Sequence, residues 1–139
     1  MLIQLTYASR SAQILGPGDV KDIMRSSQRN NSAAGVTGAL CLTNGIFLQQ
    51  LEGDRAAVNK LYHHIEKDAR HTDTQILDFS EIASRRFGDW SMGLVAATTE
   101  NRQLFLKYSS KADFDPYIMS TTTLRAFFDE VMLNVRWLS

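Results

Sequence analysis

Short apolar runs alternate along this chain with longer stretches in which apolar residues return every three or four positions. Leu2 to Ala8 mixes apolar and β-favouring residues over too few positions for a helix, which predicts a strand. Ser9 to Gly18 holds Gly16, Pro17 and Gly18 and predicts a loop. Asp19 stands where a helix N-cap belongs, and Val20, Ile23, Met24 and Ser27 follow at helical spacing. Arg29-Asn30-Asn31-Ser32 predicts that helix's end. Two apolar runs, Gly35 to Thr43 and Ile46 to Leu51, flank Asn44-Gly45, a dipeptide whose residues both accept positive φ, and predict a hairpin. Gly53-Asp54 stops the second strand and caps a second helix with the stripe Val58, Leu61, Tyr62, Ile65, closing at Asp68-Ala69-Arg70-His71. Ile76 to Ile82 and Trp90 to Ala96 predict two further strands.

The order β-α-β-β-α-β-β predicts an α+β fold, a ferredoxin-like sandwich with an added strand and two helices on one sheet face. Residues 1–97 form the domain in this reading. Residues 98–139 predict a short helix over Asn101 to Tyr108 and a longer one striped by Leu124, Phe127, Phe128, Val131, Met132 and Val135. This C-terminal helical extension is expected on the sheet face that the first two helices leave bare, or as an oligomer or partner surface.

Strand parity isolates polar groups on an apolar face. Ile3, Leu5 and Tyr7 share one face of the first strand, and Phe47, Gln49 and Leu51 share one face of the third. Trp90, Met92 and Leu94 line up on the fifth. A buried phenol and a buried amide each cost roughly 1–3 kcal/mol without a partner, so they bond each other, the backbone, or a polar ligand. Ile23, Ser27 and Asn31, spaced by four, turn the first helix's stripe from apolar to polar, and the second helix offers Ile65 and Asp68. Together these outline an apolar slot, walled by Ile23 and Ile65 and edged by Asn31, Gln49, Tyr7 and Asp68, suited to a flat heteroaromatic ligand.

Length and charge narrow the field. The chain's 139 residues suit one domain with a real core. Fifteen basic and fifteen acidic residues cancel, which argues against a broad footprint for nucleic acid or anionic membrane. The single cysteine, Cys41, forms no internal disulfide and lies in a strand, as a small core residue would. No signal peptide and no membrane span is read, so a cytoplasmic location is expected. There is no GxGxxG or Walker pattern, and His63, His64 and His71 have no metal-site spacing. Arg85-Arg86 reads as a solvated turn. An acylphosphatase-type enzyme would want a Gly-rich first loop, whereas Ser9 to Gly18 has Arg10 without that pattern.

The residues collected here resemble the BLUF family, the flavin-binding sensors of blue light. The match spans about residues 1–97. It comprises Leu5-x-Tyr7-x-Ser9, Ser27-Gln28-Arg29-Asn30-Asn31, the run Gly35 to Leu40, Asn44-Gly45, Phe47 to Gly53, Asp68-Ala69-Arg70-His71 and Arg86 to Met92, in order. The resemblance implies FAD held non-covalently between the helices and no enzymatic turnover. It implies Tyr7 as electron donor, Gln49 as the amide between donor and flavin, and Trp90 and Met92 as competitors for a place beside Gln49. Ile23 and Ile65 would sandwich the ring, Asn31 would hold its edge with Asn30 beside the ring and Ser27 nearby, and Asp68 would face the ribityl or ring region. Where several members carry Arg to reach the phosphates, this chain has His64. The remaining residues are too few for a cyclase or phosphodiesterase domain, so the resemblance implies a short photoreceptor that associates with a separate effector, of response-regulator kind, and self-associates. A regulatory module on the same fold without photochemistry is the other reading; colour separates the two.

Overall fold

The computed structural model describes residues 1–88, 92–96 and 101–134. Its elements run β1 (Leu2–Ser11), α1 (Pro17–Ala34), β2 (Thr37–Thr43), β3 (Ile46–Asp54), α2 (Arg55–Lys67), β4 (His71–Glu81), β5 (Gly93–Ala96), α3 (Arg102–Lys107) and α4 (Thr121–Asn134). Among the described residues the strands form one sheet in the order β4-β1-β3-β2-β5, antiparallel except for the β2–β5 pair. The sandwich topology read from the sequence is the one observed.

Turn and cap chemistry explains the element ends. Asn44 and Gly45 both take positive φ, 50° and 72°, closing the β2–β3 hairpin. Asp54 caps α2 by accepting from the backbone N–H of Ala56 at 3.3 Å. The start of α1 differs from expectation. Pro17 opens the helix, and its fixed φ suits that position; Asp19 sits three residues after the cap and accepts from Gly16 N–H at 2.9 Å. The helix also runs past Asn31 to Ala34, because Gly35 adopts φ 68° and can end it in the left-handed region. Strand β4 begins at His71, five residues before the expected start, since an exposed edge strand needs no apolar alternation.

Two cores lie on opposite sides of the sheet. Ile3, Leu5, Phe47 and Leu51 pack with Ile23 and Met24 of α1 and Val58 and Tyr62 of α2. Ala39, Cys41, Leu48 and Val95 face the other way, against Leu104 and Phe105 of α3 and Leu124, Phe127, Phe128 and Val131 of α4. Full burial of each such side chain contributes about 1.5–3 kcal/mol, so α4 is held chiefly by its aromatic face. A fork from Arg125 to Asp78 of β4, at 2.9 and 3.0 Å, fixes its direction. Met132, expected in the apolar stripe, is 40% exposed at the stripe's edge; Val135 lies outside the described residues. Arg85 and Arg86 lie in the bend after β4, Arg85 exposed as expected, but both are also anchored to the fold. Arg85 donates to Gly35 O at 2.7 Å, and Arg86 pairs with Asp129 of α4 at 2.8 Å.

Candidate functional site: a slot between two helices with a phenol–amide floor

Tyr7 on β1 and Gln49 on β3 are cross-strand partners, both directed to the side of the sheet covered by α1 and α2. The Tyr7 hydroxyl donates to Gln49 Oε1. The Gln49 amide group then donates through Nε2 to Met92 Sδ at 3.3 Å. Gln28 of α1 reaches the same segment, donating to the Met92 carbonyl at 3.4 Å. Tyr7, Gln49 and Met92 are all buried. The polar groups isolated by strand parity are therefore satisfied by one another in a relay of phenol, amide and thioether. Trp90, read as a competitor with Met92, lies outside the described residues.

A slot opens above this floor. Ile23, Ser27, Asn30 and Asn31 of α1 line it together with His64 and Ile65 of α2, Asp68, and the floor residues Tyr7 and Gln49. The structure thus brings together every described residue of the expected site except Met92, which touches it through Gln49. Leu61 and Ile65 are only half-buried, although they belong to the stripe of α2, because their free sides meet the slot. Asn31, at the polar end of α1, is buried.

Electrostatics divide the slot in two. At the floor, burial raises the Tyr7 phenol far above its usual range, with the charges of Tyr62 and Asp68 adding, so Tyr7 is a neutral hydroxyl at any physiological pH. The Tyr62 ring sits edge-on to it, with centroids 5.5 Å apart. At the mouth, Arg70 clamps Asp68, with Nη2 2.7 Å from Oδ2 and the backbone N–H of Arg70 2.9 Å from Oδ1. That clamp holds the Asp68 carboxyl down at about 2.

Sequence reasoning missed Arg70 and His71 as slot residues. His71 Nδ1 lies 2.7 Å from Ser9 Oγ, and its ring packs on Phe47 with centroids 4.8 Å apart. Burial lowers its imidazole below the ordinary value, opposed by Asp68 and reinforced by Arg70. The string Asp68-Ala69-Arg70-His71 held the signal, but a contact across sixty-two positions cannot be read from spacing. Among the described residues, no cluster of His, Cys, Asp or Glu is arranged to hold a metal ion, and no helix is long and apolar enough to cross a membrane.

The slot's chemistry fits a planar heteroaromatic group: branched apolar side chains on both helices, and amide and hydroxyl groups at the floor and rim. Fold and site together define an α+β domain built around a small-molecule slot. The profile of the family described as "Sensors of blue-light using FAD" matches residues 2–93, and the chain belongs to that family, BLUF. The photoactivated adenylate cyclase subunit beta of Euglena longa is 37% identical over 100 residues, 71% of this chain and 11% of that protein. BlsA in its photo-activated state has a TM-score of 0.90 at 28% identity, over 100% of this chain and 99% of that one. BlrB in its dark state has a TM-score of 0.71 at 38% identity, over 76% of this chain and 80% of that one. The chain thus spans only a small part of the cyclase subunit it matches. The family consists of sensors, with light rather than a turned-over substrate as input.

Proposed function

We propose that this chain is a blue-light switch that holds FAD non-covalently in the slot and signals to a separate effector protein. The observation that carries the reading is the relay from Tyr7 through Gln49 to Met92, placed at the floor of a slot whose walls suit a flat ring. Ile23 and Ile65 pack against the ring's faces. Asn30, Asn31, Ser27 and Gln49 hold its edges, and Asp68 and His64 stand at the mouth. Bound flavin supplies the absorption of blue light and an acceptor for one electron.

The rest of the chemistry belongs to this chain. Tyr7 gives the electron as a neutral phenol, and its oxidised form is a strong acid whose proton Gln49 Oε1 is placed to receive. An amide that takes this proton on oxygen would release one from nitrogen to the bound flavin, which already carries the electron, and so exchange donor for acceptor. When electron and proton return to Tyr7, Gln49 is left in a different hydrogen-bonding arrangement. Nothing is consumed, and light has shifted the population of a two-state element. Met92, whose sulfur accepts from Nε2 in the arrangement observed, feels the change first.

The family's description supports FAD. His64 in place of a longer cation leaves the phosphates a weaker contact, so FMN and riboflavin are expected to bind within about tenfold of FAD. The name of the photoactivated cyclase relative supports an effector partner. A cytoplasmic home and self-association complete the proposal. The test is an absorption spectrum of the purified, flavin-loaded chain before and after blue light. A red shift of the flavin bands that reverses in the dark is expected; a colourless chain that does not take up added flavin would overturn the reading.

A further inference from the structure

Glu52 is a carboxylate with no exposed surface, three residues beyond Gln49 on the same strand. Its position on β3 puts it on the opposite face of the sheet from the slot, the face of Leu48 and the C-terminal helices. A buried carboxylate persists only where hydrogen bonds replace its water. Here Thr37 Oγ1 donates to Oε1 at 2.8 Å, Arg86 N–H to Oε2 at 2.7 Å, and Phe87 N–H to Oε1 at 2.6 Å. Two of the three donors are backbone groups of the β4–β5 connection, which five residues later delivers Met92 to Gln49. Arg85 secures the same connection through Gly35 O and Thr37 Oγ1, at 2.7 and 3.0 Å.

The clamped residues also reach α4. Arg86 Nη2 lies 2.8 Å from Asp129 Oδ1, and the Phe87 ring is buried in the cluster formed with Phe105, Phe127 and Phe128. Residues 86 and 87 are thus tied to β3 by their backbone and to the C-terminal helices by their side chains.

We propose that Glu52 is a positioning residue for the switch, a pivot that sets where Met92 meets Gln49 and passes the movement of that segment through Arg86 and Asp129 to α4. This rests on the light-switch reading above. The backbone hydrogen bonds at 86 and 87 give a displacement of Met92 a fixed point five residues upstream. That displacement becomes a change in the pull on Arg86 and in the seating of Phe87. The output is then a change in the packing of α4, on the side of the sheet away from the slot.

Glu52→Gln separates this role from mere burial. The amide keeps the shape but offers one acceptor oxygen where the two loop N–H groups use two, so one loop bond is lost. The variant is expected to bind flavin with unchanged affinity and to show the red shift. Its dark recovery should change by about fivefold, the rate equivalent of one ordinary hydrogen bond. Hydrogen exchange of the Thr121–Asn134 amides, light-dependent in the parent chain, should lose that dependence. Asp129→Asn, at a residue with an exposed side chain, should keep the spectral change and recovery but also uncouple the α4 amides from light. If both variants match the parent in recovery and in the light response of α4, the pivot is wrong while the switch stands. A parent chain with no red shift would remove the switch and the pivot together.

Discussion

Tyr7 and Gln49 stand directly opposite one another on neighbouring antiparallel strands, and the phenol of the first donates to the amide oxygen of the second. Neither contact depends on a mobile loop. The backbone positions of the phenol and the amide are therefore set by two central strands of the sheet, and the response to light should be lost cleanly when either group is removed.

Tyr7→Phe removes the donor and leaves Gln49 Oε1 buried without it, at a cost of about 1–2 kcal/mol in stability. Flavin should still bind, because the ring's walls are untouched. The reversible red shift should vanish. A Tyr7→Phe variant with an unchanged light-minus-dark spectrum would overturn the assignment of Tyr7 as electron donor.

Gln49→Leu preserves volume but takes away both bonds of the relay, so the Tyr7 hydroxyl and Met92 sulfur lose their shared partner. The expected outcome is a yellow protein with no stable red shift, its melting temperature lowered by an amount corresponding to roughly 1–3 kcal/mol. Retention of the shift would mean that some other group rearranges.

Stability should depend on pH through His71 and Asp68. The ordinary imidazole value is 6.5 and folding lowers it, so below that pH the unfolded chain binds a proton that the folded chain resists. Stability from this source is complete above about pH 6.5 and is lost as pH falls toward the lower native value. Asp68 acts further down: its carboxyl is held at about 2 against an ordinary 3.8, so the stabilisation is intact above about pH 4 and disappears as pH drops toward 2. Thermal melts of the apo chain from pH 8 to 5 should show the first decline, and His71→Gln should flatten it.

Gly38 on β2 lies against β3, and a Cβ there would collide with the carbonyl oxygen of Gln50 and come within 3.2 Å of its carbon. Backbone cannot yield as a side chain can, so Gly38→Ala is expected to cost about 2 kcal/mol or more. Because Gln50 adjoins Gln49, the same substitution should also disturb the light response. Calorimetry and the difference spectrum check the two effects.

Sequence patterning revealed much of this architecture because its signals are local. Asn44-Gly45, the Asp54 cap, and the stripes of α1 and α2 each act over a few residues. The start of α1 was misplaced because Asp19 suits the third helical position as well as the cap. The first half of β4 was invisible, since Thr72, Asp73 and Gln75 carry no apolar rhythm. In the site, Ile23, Ser27, Asn31 and Ile65 could be found by spacing on their own helices, and Asp68 by its place at the end of α2. Contacts such as Ser9 with His71, or Glu52 with Phe87, join distant segments and leave no local trace.

Glu52 also answers a question raised by the two consecutive glutamines. A slip of β3 by one residue would still offer Tyr7 an amide, that of Gln50. It would also move Glu52 into the place of Leu51, setting a carboxylate among Ile3, Val58 and Leu5, and put Gly53 where the loop N–H groups need an acceptor. The tandem amides are thus no source of misalignment: the acid behind them dictates which glutamine meets the phenol.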